Sequence, residues 1–366
     1  MQYNEIKGNK GEWSEFYTFI RILVDRVIVP ADENLKKISD KTSEVLKVIR
    51  EDSKDGPKTY DISQNNEIID ILNSKGDILD SVDSKNIKNC INTIFERMKI
   101  GGKSAFVIPE AYSLVSQLKC TQIKASSSKK TDLTLVIHDR ISETYPELGY
   151  SIKSMLGSPS TLLNASGATN FVYRVDNVED KKIEKINQIQ GHSKLRDKSK
   201  EIYGDKGSLV FEKIENPKFV NNLAMIDLMF PNILAELLKI YYEGKASKIN
   251  DLVELLSQDQ NFCSKYGLNK TILEFKVKNF LINVALGMTP NTIWDGFTKA
   301  HGGYIIVKEN GEIVCYHLYN RDEFQKYLYI NTKFDTPSTT RHKFGQIYTE
   351  NDKKYMKLNL QIRFIK

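Results

Sequence analysis

Cysteine is scarce in this chain. Its 366 residues include four cysteines, Cys90, Cys120, Cys263 and Cys315. No two of them have Cys-x-x-Cys spacing, and none lies at zinc-ligand spacing from a histidine. The pattern counts against a structural zinc site and against a disulfide scaffold, and it predicts a reducing, cytoplasmic compartment.

Long hydrophobic runs are also missing. The longest, such as Phe280–Met288, are far shorter than the roughly 20 apolar residues that span a bilayer. The polar start Met1–Lys10 predicts no secretory signal. Neither a GxGxxG nor a P-loop sequence occurs, so nucleotide binding has no support. A serine nucleophile elbow is absent too. We therefore expect no membrane association and no nucleotide cofactor.

Charge of one sign is only mildly in excess, with 53 Lys and Arg against 47 Asp and Glu. Nearly all of that excess lies in the last tenth of the chain, which has eight cations against three acids. A local basic surface is typical of proteins that bind phosphate groups. The eight cations are Lys333, Arg341, Lys343, Lys353, Lys354, Lys357, Arg363 and Lys366.

Hydrophobic periodicity predicts a chain that is helical at first and rich in strands at the end. The predicted helices are Glu12–Val29, Asn34–Glu51, Asn66–Met98, Val178–Gln190, Asn216–Gly244 and Lys248–Gly287. The predicted strands are Ser104–Pro109, Thr131–His138, Leu148–Lys153 and Asn170–Asp176. Hairpins are expected in Gly303–Tyr319, around Asn310-Gly311, and in Gly345–Phe364.

These elements predict an α/β fold with appendages, and the chain length allows roughly two domains. We divide the sequence into an N-terminal helical segment (1–100), a core sheet (101–200), a helical insertion (201–300) and a basic β-rich part (301–366).

Asp132 and Lys153 are the first candidate site. Asp132 opens one predicted strand and Lys153 closes the next, so neighbouring strands would bring the two side chains to one sheet edge. A carboxylate there suits Mg²⁺, and the Ile152 carbonyl could add a second oxygen ligand. An ammonium beside it could orient water and balance phosphate charge. The ordinary alternative, a strand-edge acid and a solvated lysine, is the commoner meaning of this spacing alone.

Glu15 in the first helix is the second candidate, because a helical carboxylate aimed at the sheet edge would complete an acidic metal site. Glu12 shares its helix face. Spacing alone favours the alternative of an ordinary exposed helix acid.

Two polar segments could contact DNA. The segment Lys153–Asn170 is rich in small hydroxyl and amide side chains, which suit phosphate oxygens and base edges. The segment Asp335–Gly345 carries Arg341, and arginine pairs well with guanine. The alternatives are a capped helix start and a solvated basic loop. The candidate DNA-binding residues are Ser154, Ser158, Thr161, Asn164, Ser166, Asn170, Thr339, Arg341, His342 and Lys343.

Several segments together resemble the HpaII family of type II restriction endonucleases. They are KTDLTLVIHD from Lys130, GYSIKSMLGSPSTLLNASGATNFVYRV from Gly149, HGGYIIV from His301, and the pair NTKFDTPSTTRHKFGQIY and KLNLQIRF after Asn331. The likeness begins at GNKGEWSEFY in the first helix and covers most of the chain.

This resemblance implies a PD-(D/E)xK nuclease core, with Asp132 and Lys153 as the motif Asp and Lys. It implies Mg²⁺ dependence, with Mn²⁺ as a substitute. The sequence departs from the motif because Ser151 stands where the second acid belongs. Related nucleases often move that acid to a helix, which favours Glu15. We choose Glu15 over Glu12 because it lies one turn deeper in the helix.

The resemblance also implies cleavage of double-stranded DNA at a short palindrome, with CCGG as the first choice and 5′-phosphate and 3′-hydroxyl ends. A bacterial cytoplasmic enzyme is expected, with a companion methyltransferase that is not a bound subunit. A palindrome favours a homodimer, although the sequence shows no obvious dimer helix. Two alternatives stay open: a degenerate nuclease that only binds its site, for which Ser151 is the best reason, and a structure-specific repair nuclease.

Overall fold

The computed structural model describes residues 6–52, 56–64, 67–102, 104–124, 131–139, 143–204, 206–298 and 300–365. The chain divides into two compact units. Unit 1 consists of Met1–Ser160 and Thr298–Tyr327, and unit 2 of Thr161–Phe297 and Leu328–Ile365. No helix among the described residues is long and apolar enough to cross a membrane.

The elements alternate along the chain without long runs of one type. As far as Ser154 they are β1 (Lys7–Gly8), α1 (Lys10–Asp25), β2 (Val27–Ile28), β3 (Ser43–Asp52), β4 (Gly56–Asp61), β5 (Ile68–Leu72), β6 (Ile78–Asp83), α2 (Ser84–Ile100), β7 (Phe106–Val107), α3 (Tyr112–Gln117), β8 (Leu133–His138) and β9 (Glu147–Ser154).

The middle of the chain is mainly helical. It contains β10 (Thr161–Leu163), β11 (Asn170–Asp176), α4 (Asp180–Gln188), α5 (Lys194–Gly204), β12 (Ser208–Ile214), α6 (Pro217–Ile226), α7 (Phe230–Tyr242), α8 (Ile249–Ser257), α9 (Gln260–Tyr266) and α10 (Lys270–Ala285).

The last part is rich in strands. It contains β13 (Gly303–Val307), β14 (Ile313–His317), α11 (Arg321–Ile330), β15 (Thr332–Phe334), α12 (Thr339–His342), β16 (Ile347–Glu350), β17 (Lys353–Asn359) and β18 (Ile362–Phe364).

A mixed sheet forms the centre of unit 1. Its strand order is β14-β13-β9-β8-β3-β4-β5-β6, and β2 pairs with β3. β13 runs parallel to β9, whereas β8 runs antiparallel to both β9 and β3. The mixed α/β architecture with a central sheet and flanking helices is therefore confirmed.

Helix α1 supplies the apolar layer that covers this sheet. An Asn9–Glu12 capping box starts it: Asn9 Oδ1 accepts from the Glu12 N–H at 3.1 Å, and Glu12 Oε2 accepts from the Asn9 N–H at 2.9 Å. The helix ends at Arg26, in the left-handed conformation. The predicted helix Glu12–Val29 is thus confirmed with shorter bounds. Its buried face joins the sheet core through Trp13, Phe16, Tyr17, Ile20 and Leu23.

Two of the predicted N-terminal helices were wrong. Asn34–Glu51 contains strand β3, which pairs with β4 on one side and β8 on the other. The first half of Asn66–Met98 forms β5 and β6, joined by a turn at Asn73–Asp77, and the helix α2 begins only after its cap Asp83. Pairing with neighbouring strands, on both edges for β3 and β5 and on one edge for β6, outweighs the local pattern of these segments.

Most of the other elements predicted from periodicity are confirmed. Strands β8, β9 and β11 occupy the predicted segments, and the three later helical stretches contain α4 and α6–α10. β13 and β14 form the hairpin predicted around Asn310-Gly311, and β16 and β17 form the second one.

Unit 2 contains two small sheets packed with helices. One has the order β12-β11-β17-β16 and the other β10-β18-β15, and all pairs in both are antiparallel. The start of α6 matches its sequence signal, because the Asn216 side chain accepts from the Lys218 N–H and Pro217 occupies the first turn.

Candidate functional site

Three neighbouring strands of unit 1 bring Asp132, Ser151 and Tyr304 level with one another. Leu133 of β8 pairs with Tyr150, which places Asp132 beside Ser151. Tyr304 of β13 pairs with Ser151 from the other side. Because paired residues and residues two apart share a sheet face, Ser151, Tyr304 and Lys153 lie on one face of the sheet. The predicted meeting of Asp132 and Lys153 at one end of the sheet is thereby supported by the strand register.

Backbone bonds hold Asp132 at the exact point where β8 begins. Its N–H donates to the Tyr150 carbonyl at 2.9 Å, and its Oδ2 accepts from the Ile152 N–H at 2.7 Å. No hydrogen bond from a described residue reaches the other oxygen, Oδ1. The carboxylate therefore lies at the strand end with one oxygen open to a further ligand.

The surroundings of Asp132 act on its charge in opposite directions. Burial raises the pKa of the carboxyl group above its ordinary value, while the positive charge of Lys153 and the Ile152 N–H bond lower it, and burial prevails. A second positive charge at this point would favour the ionised form. The site is therefore electrostatically suited to a cation.

Ile152 lies beside this carboxylate through its backbone. The N–H and C=O groups of one strand residue point toward the same neighbouring strand. Since the Ile152 N–H reaches Asp132, its carbonyl points to the same side, past the beginning of β8. The predicted oxygen pair, Asp132 and the Ile152 carbonyl, is therefore compatible with the geometry.

Tyr304 is a site residue that the sequence reasoning missed. The Lys153 ammonium lies 5.1 Å from the centre of its ring, and Phe324 of α11 packs on Tyr304 at 5.1 Å between ring centres. Burial raises the pKa of the Tyr304 phenol, and the nearby Asp132 charge raises it further. An aromatic face beneath a lysine restrains its ammonium, so Tyr304 positions Lys153.

Helix α1 meets the same end of the sheet from the other face. The Ser14 and Ser154 hydroxyl oxygens lie 2.8 Å apart, which joins the residue before Glu15 to the residue after Lys153. Successive strand residues alternate faces, so α1 packs on the face that carries Ser154 and not on the face of Lys153. Glu15 can therefore approach Asp132 only around the end of β9.

Glu12 and Glu15 have different surroundings. Glu12 caps its own helix and forms an ion pair with Lys124 at 2.9 Å. These bonds lower the pKa of its carboxyl group, although burial acts against them. The Lys124 ammonium has a raised pKa, mainly through its bond to Glu12 and to a smaller degree through the charge of Glu15. Glu12 thus has a structural role, which leaves Glu15 as the choice for the relocated acid.

Oxygen atoms alone make up the candidate ligand set. Two carboxylates and one carbonyl match the preference of Mg²⁺, which commonly uses one or two carboxylates and keeps several waters. Within the described part of the chain, no cluster of three or more His, Cys, Asp or Glu side chains could hold a metal. The set fits Mg²⁺ and does not fit a metal that requires a full cage of side chains.

The polar segment after Lys153 forms no helix at Ser158, contrary to one of the alternatives. Ser158 and Asn164 are exposed, while Thr161 begins strand β10. The Ser166 hydroxyl accepts from the Ala168 N–H and caps a short 3-10 helix, Gly167–Thr169. Ser154 is tied to Ser14 and accepts from the Leu156 N–H. Only part of this segment is free to face DNA.

Asn170 is buried, with 2% of its surface exposed. Its amide donates to Glu215 and to the His342 carbonyl, and its side-chain oxygen accepts from Asn359. A direct contact with a base would break these bonds. Asn170 instead joins β11 to the segment that carries Arg341.

The second polar segment is the short helix α12, with an exposed Arg341 and a left-handed Lys343 at its end. The ring of His342 is partly buried, which lowers its pKa. Neither Arg341 nor Lys343 forms an ion pair within the described residues, whereas Lys354, Lys357 and Arg363 pair with Asp180, Glu215 and Asp335. The basic excess of the tail is therefore partly neutralised and is freest around α12. Lys366 lies outside the described residues.

Comparison with known proteins agrees with the resemblance seen in the sequence. The family model for the HpaII restriction endonuclease matches residues 9–364. The chain is 42% identical over 358 residues to the type II restriction enzyme HpaII of Haemophilus parainfluenzae, and the match covers 98% of each protein. No solved structure matches the chain. On the family model and this degree of identity, the chain belongs to the HpaII restriction endonuclease family.

Proposed function

We propose that this protein is a type II restriction endonuclease that cuts both strands of DNA at a short palindrome, with Mg²⁺ as its cofactor. The observation that carries the proposal is the Asp132–Lys153 pair at one sheet end, in a chain that belongs to this family over nearly its whole length. CCGG is the proposed site, as the family resemblance implies, with 5′-phosphate and 3′-hydroxyl ends.

The proposed core is of the PD-(D/E)xK type. Its support is a mixed sheet in which Asp132 stands at the start of one strand and Lys153 near the end of the next, with helix α1 joined to that second strand through Ser14 and Ser154. Ser151 is the departure from that motif, and it is 8% exposed at the level of Asp132. Glu15 is proposed to replace the missing acid.

In this mechanism Asp132, Glu15 and the Ile152 carbonyl would hold Mg²⁺, and Mn²⁺ is expected to substitute. Bound Mg²⁺ would offset negative charge on the phosphoryl oxygens and lower the pKa of a water molecule. The Lys153 ammonium orients the attacking water and stabilises the charge that develops on the phosphate. Tyr304 keeps that ammonium in place. The water attacks phosphorus in line, and the bond from phosphorus to the 3′ oxygen breaks as the new bond forms. The proton of the attacking water passes to solvent, and the 3′ oxygen takes up a proton from solvent to become the 3′-hydroxyl.

Double-stranded DNA is the proposed partner, read by the polar segments after Lys153 and around Arg341. A homodimer is the simplest reader of a palindrome. A separate methyltransferase is proposed to protect the host DNA, because an unopposed endonuclease of this kind would cut its own genome.

Digestion of a sequenced plasmid with the purified protein and Mg²⁺ tests the proposal. EDTA and the Asp132→Ala variant serve as controls, and end mapping identifies the cut. We expect discrete fragments that end at one palindrome, no cleavage in either control, and retained binding of the variant to the same site in Ca²⁺. Cleavage by Asp132→Ala would show that the assigned active site is wrong.

The second candidate is a protein that binds its site without cutting it, which the buried Ser151 in place of an acid favours. Tight binding to one sequence without cleavage would establish it. Cleavage at branched or damaged DNA, with no fixed sequence, would instead indicate a repair nuclease.

A further inference from the structure

Unit 2 contains a pocket of about 490 Å³ beside α12. Lysines and side-chain amides line much of its wall: Gln190, Lys194, Lys343, Gln346 and Lys357. This volume lies within the usual range for ligand sites, which is roughly 300–1,000 Å³. No carboxylate is part of the lining.

Positive charge is concentrated at this pocket more than the fold requires. Lys194 and Lys343 have no ion pair within the described residues, and Lys194 donates to the Thr339 hydroxyl at 2.8 Å. Lys357 is the one lining lysine with an acidic partner, Glu215. An anion bound in the pocket would offset the charges of Lys194 and Lys343, which no acid among the lining residues does.

A buried lysine outside the lining, Lys198, supports one of the lining residues, Gln346. Lys198 is 2% exposed, and its ammonium donates to the Gly345 carbonyl at 2.8 Å, to Gln346 Oε1 at 3.1 Å and to the Asn187 carbonyl at 3.3 Å. Burial lowers its pKa to about 8, and the charge of Lys194 contributes. Lys198 thus fixes Gln346 and the end of the α12 segment while adding to the positive charge beneath them.

We propose that this pocket binds phosphate oxygens of the DNA backbone, with Lys194 and Lys343 as the contacting residues and Lys198 as a positioning residue. The inference rests on the proposed function and gives unit 2 a part in it. The lysine ammoniums act as point charges for phosphate, and the Gln190 and Gln346 amides are additional donors. Because phosphate contacts carry no sequence information, the pocket would set affinity and register, while Arg341 outside it remains the candidate for reading a base.

The test is the salt dependence of DNA binding, measured in Ca²⁺ with one duplex that contains CCGG and one that does not. Each phosphate contact adds about 0.9 to the slope of log affinity against log salt concentration. We expect the slope of Lys194→Met to be lower by about 0.9 for both duplexes, and that of Lys194→Met/Lys343→Met to be lower by about 1.8. Lys194→Arg should keep most of the wild-type salt slope, because arginine keeps the positive charge at this position.

Lys218→Met is the matched control, since Lys218 is exposed on α6 and does not line the pocket. An unchanged slope in Lys194→Met, or a loss confined to the CCGG duplex, would overturn the assignment to backbone phosphate. If inorganic phosphate raised the melting temperature of the wild type but not of Lys194→Met, and the DNA slopes were equal, the pocket would belong to free phosphate.

The experiment distinguishes failure of the proposed function from failure of the pocket assignment. If the wild-type protein binds neither duplex, the proposed function fails. If it binds DNA and all the variants share its slope, only the pocket assignment fails.

Discussion

The two units treat a buried charge in different ways. In unit 1, the partly buried Asp132 has Lys153 as a partner of opposite sign, whereas in unit 2 the buried Lys198 has the like charge of Lys194 nearby. Burial acts against the ionised form in both, raising the pKa of the acid and lowering that of the lysine. The lysine is held by two carbonyls and an amide oxygen, which accept hydrogen bonds but carry no negative charge.

This difference shows what each unit lacks. An acid balanced by a lysine is close to neutral and can accept a cation together with an anionic substrate. A group of lysines without acidic partners has its positive charge balanced only when an anion binds. The difference is consistent with the proposed cation-dependent chemistry in unit 1 and the proposed anion binding in unit 2. Four experiments test it, in the order given below.

Loss of the Lys153 charge should have the largest effect. We expect Lys153→Met to slow single-turnover cleavage by about 10³-fold, because a positive charge that stabilises the transition state is removed. The charge of Lys153 lowers the pKa of Asp132, so this pKa should rise in Lys153→Met. When the pH is lowered, Asp132 should therefore be protonated earlier, and the residual cleavage of the variant should be lost at a higher pH than that of the wild type. Lys153→Arg keeps the positive charge, so the acid limb of its pH–rate profile should match that of the wild type. A wild-type rate in Lys153→Met would remove this residue from the chemistry.

The next largest effect should separate Glu15 from Glu12. We expect Glu15→Gln to slow cleavage by about 10²-fold with little change in melting temperature. Glu12→Gln should keep the cleavage rate but lose about 1 kcal/mol of stability, because its cap and its ion pair with Lys124 are weakened. Single-turnover rates and thermal unfolding of both variants are the measurement, and the reverse pattern would assign the acid to Glu12.

Replacement of the Tyr304 ring should have a moderate effect. Tyr304→Leu removes the aromatic face beside Lys153, worth about 1 kcal/mol, and we expect cleavage to slow by about five- to tenfold. Tyr304→Phe keeps the ring and should stay within about twofold of the wild type. Equal rates for the Leu and Phe variants would show that the ring does not position Lys153.

The last experiment measures stability instead of cleavage, and it concerns unit 2. Because the pKa of Lys198 is lowered to about 8 in the folded protein, the unfolded chain binds more protons at alkaline pH. The free energy of unfolding should therefore gain up to about 3 kcal/mol between pH 8 and the ordinary lysine pKa near 10.5. Lys198→Met should lack this gain in denaturant titrations at pH 7.5 and pH 9.5. The same gain in both proteins would exclude Lys198 as its source.

The sequence predicted the local parts of the site better than the assembly around it. The register that places Asp132 beside Ser151 follows from two successive strands, and each has a clear alternating pattern. Tyr304 could not be found in this way, because nothing in the sequence states that β13 pairs with β9. The strands β3, β5 and β6 were missed for a related reason: their identity depends on pairing with other strands, which the local sequence does not show.

Polar residues were the least predictable. Asn170 and Ser166 belong to a segment that suggests DNA contact, yet the fold uses them for internal bonds. Lys194 and Lys198 gave no signal at all, since lysines in a polar helix are ordinary until the fold buries one and frees the other. Side-chain environment, rather than residue type, made that difference.

The parallel pairing of β13 with β9 has a consequence for folding. The two strands are separated by roughly 150 residues, nearly all of them in unit 2, and ribosomes add about 5–20 residues per second. For roughly 7–30 s the emerging chain therefore contains Asp132 and Lys153 while the edge of β9 that pairs with β13 is open and Lys153 has no ring beside it. Activation of the enzyme is expected to wait for roughly the last sixth of its synthesis, and a chain released before Gly303 should neither close its sheet nor cut DNA.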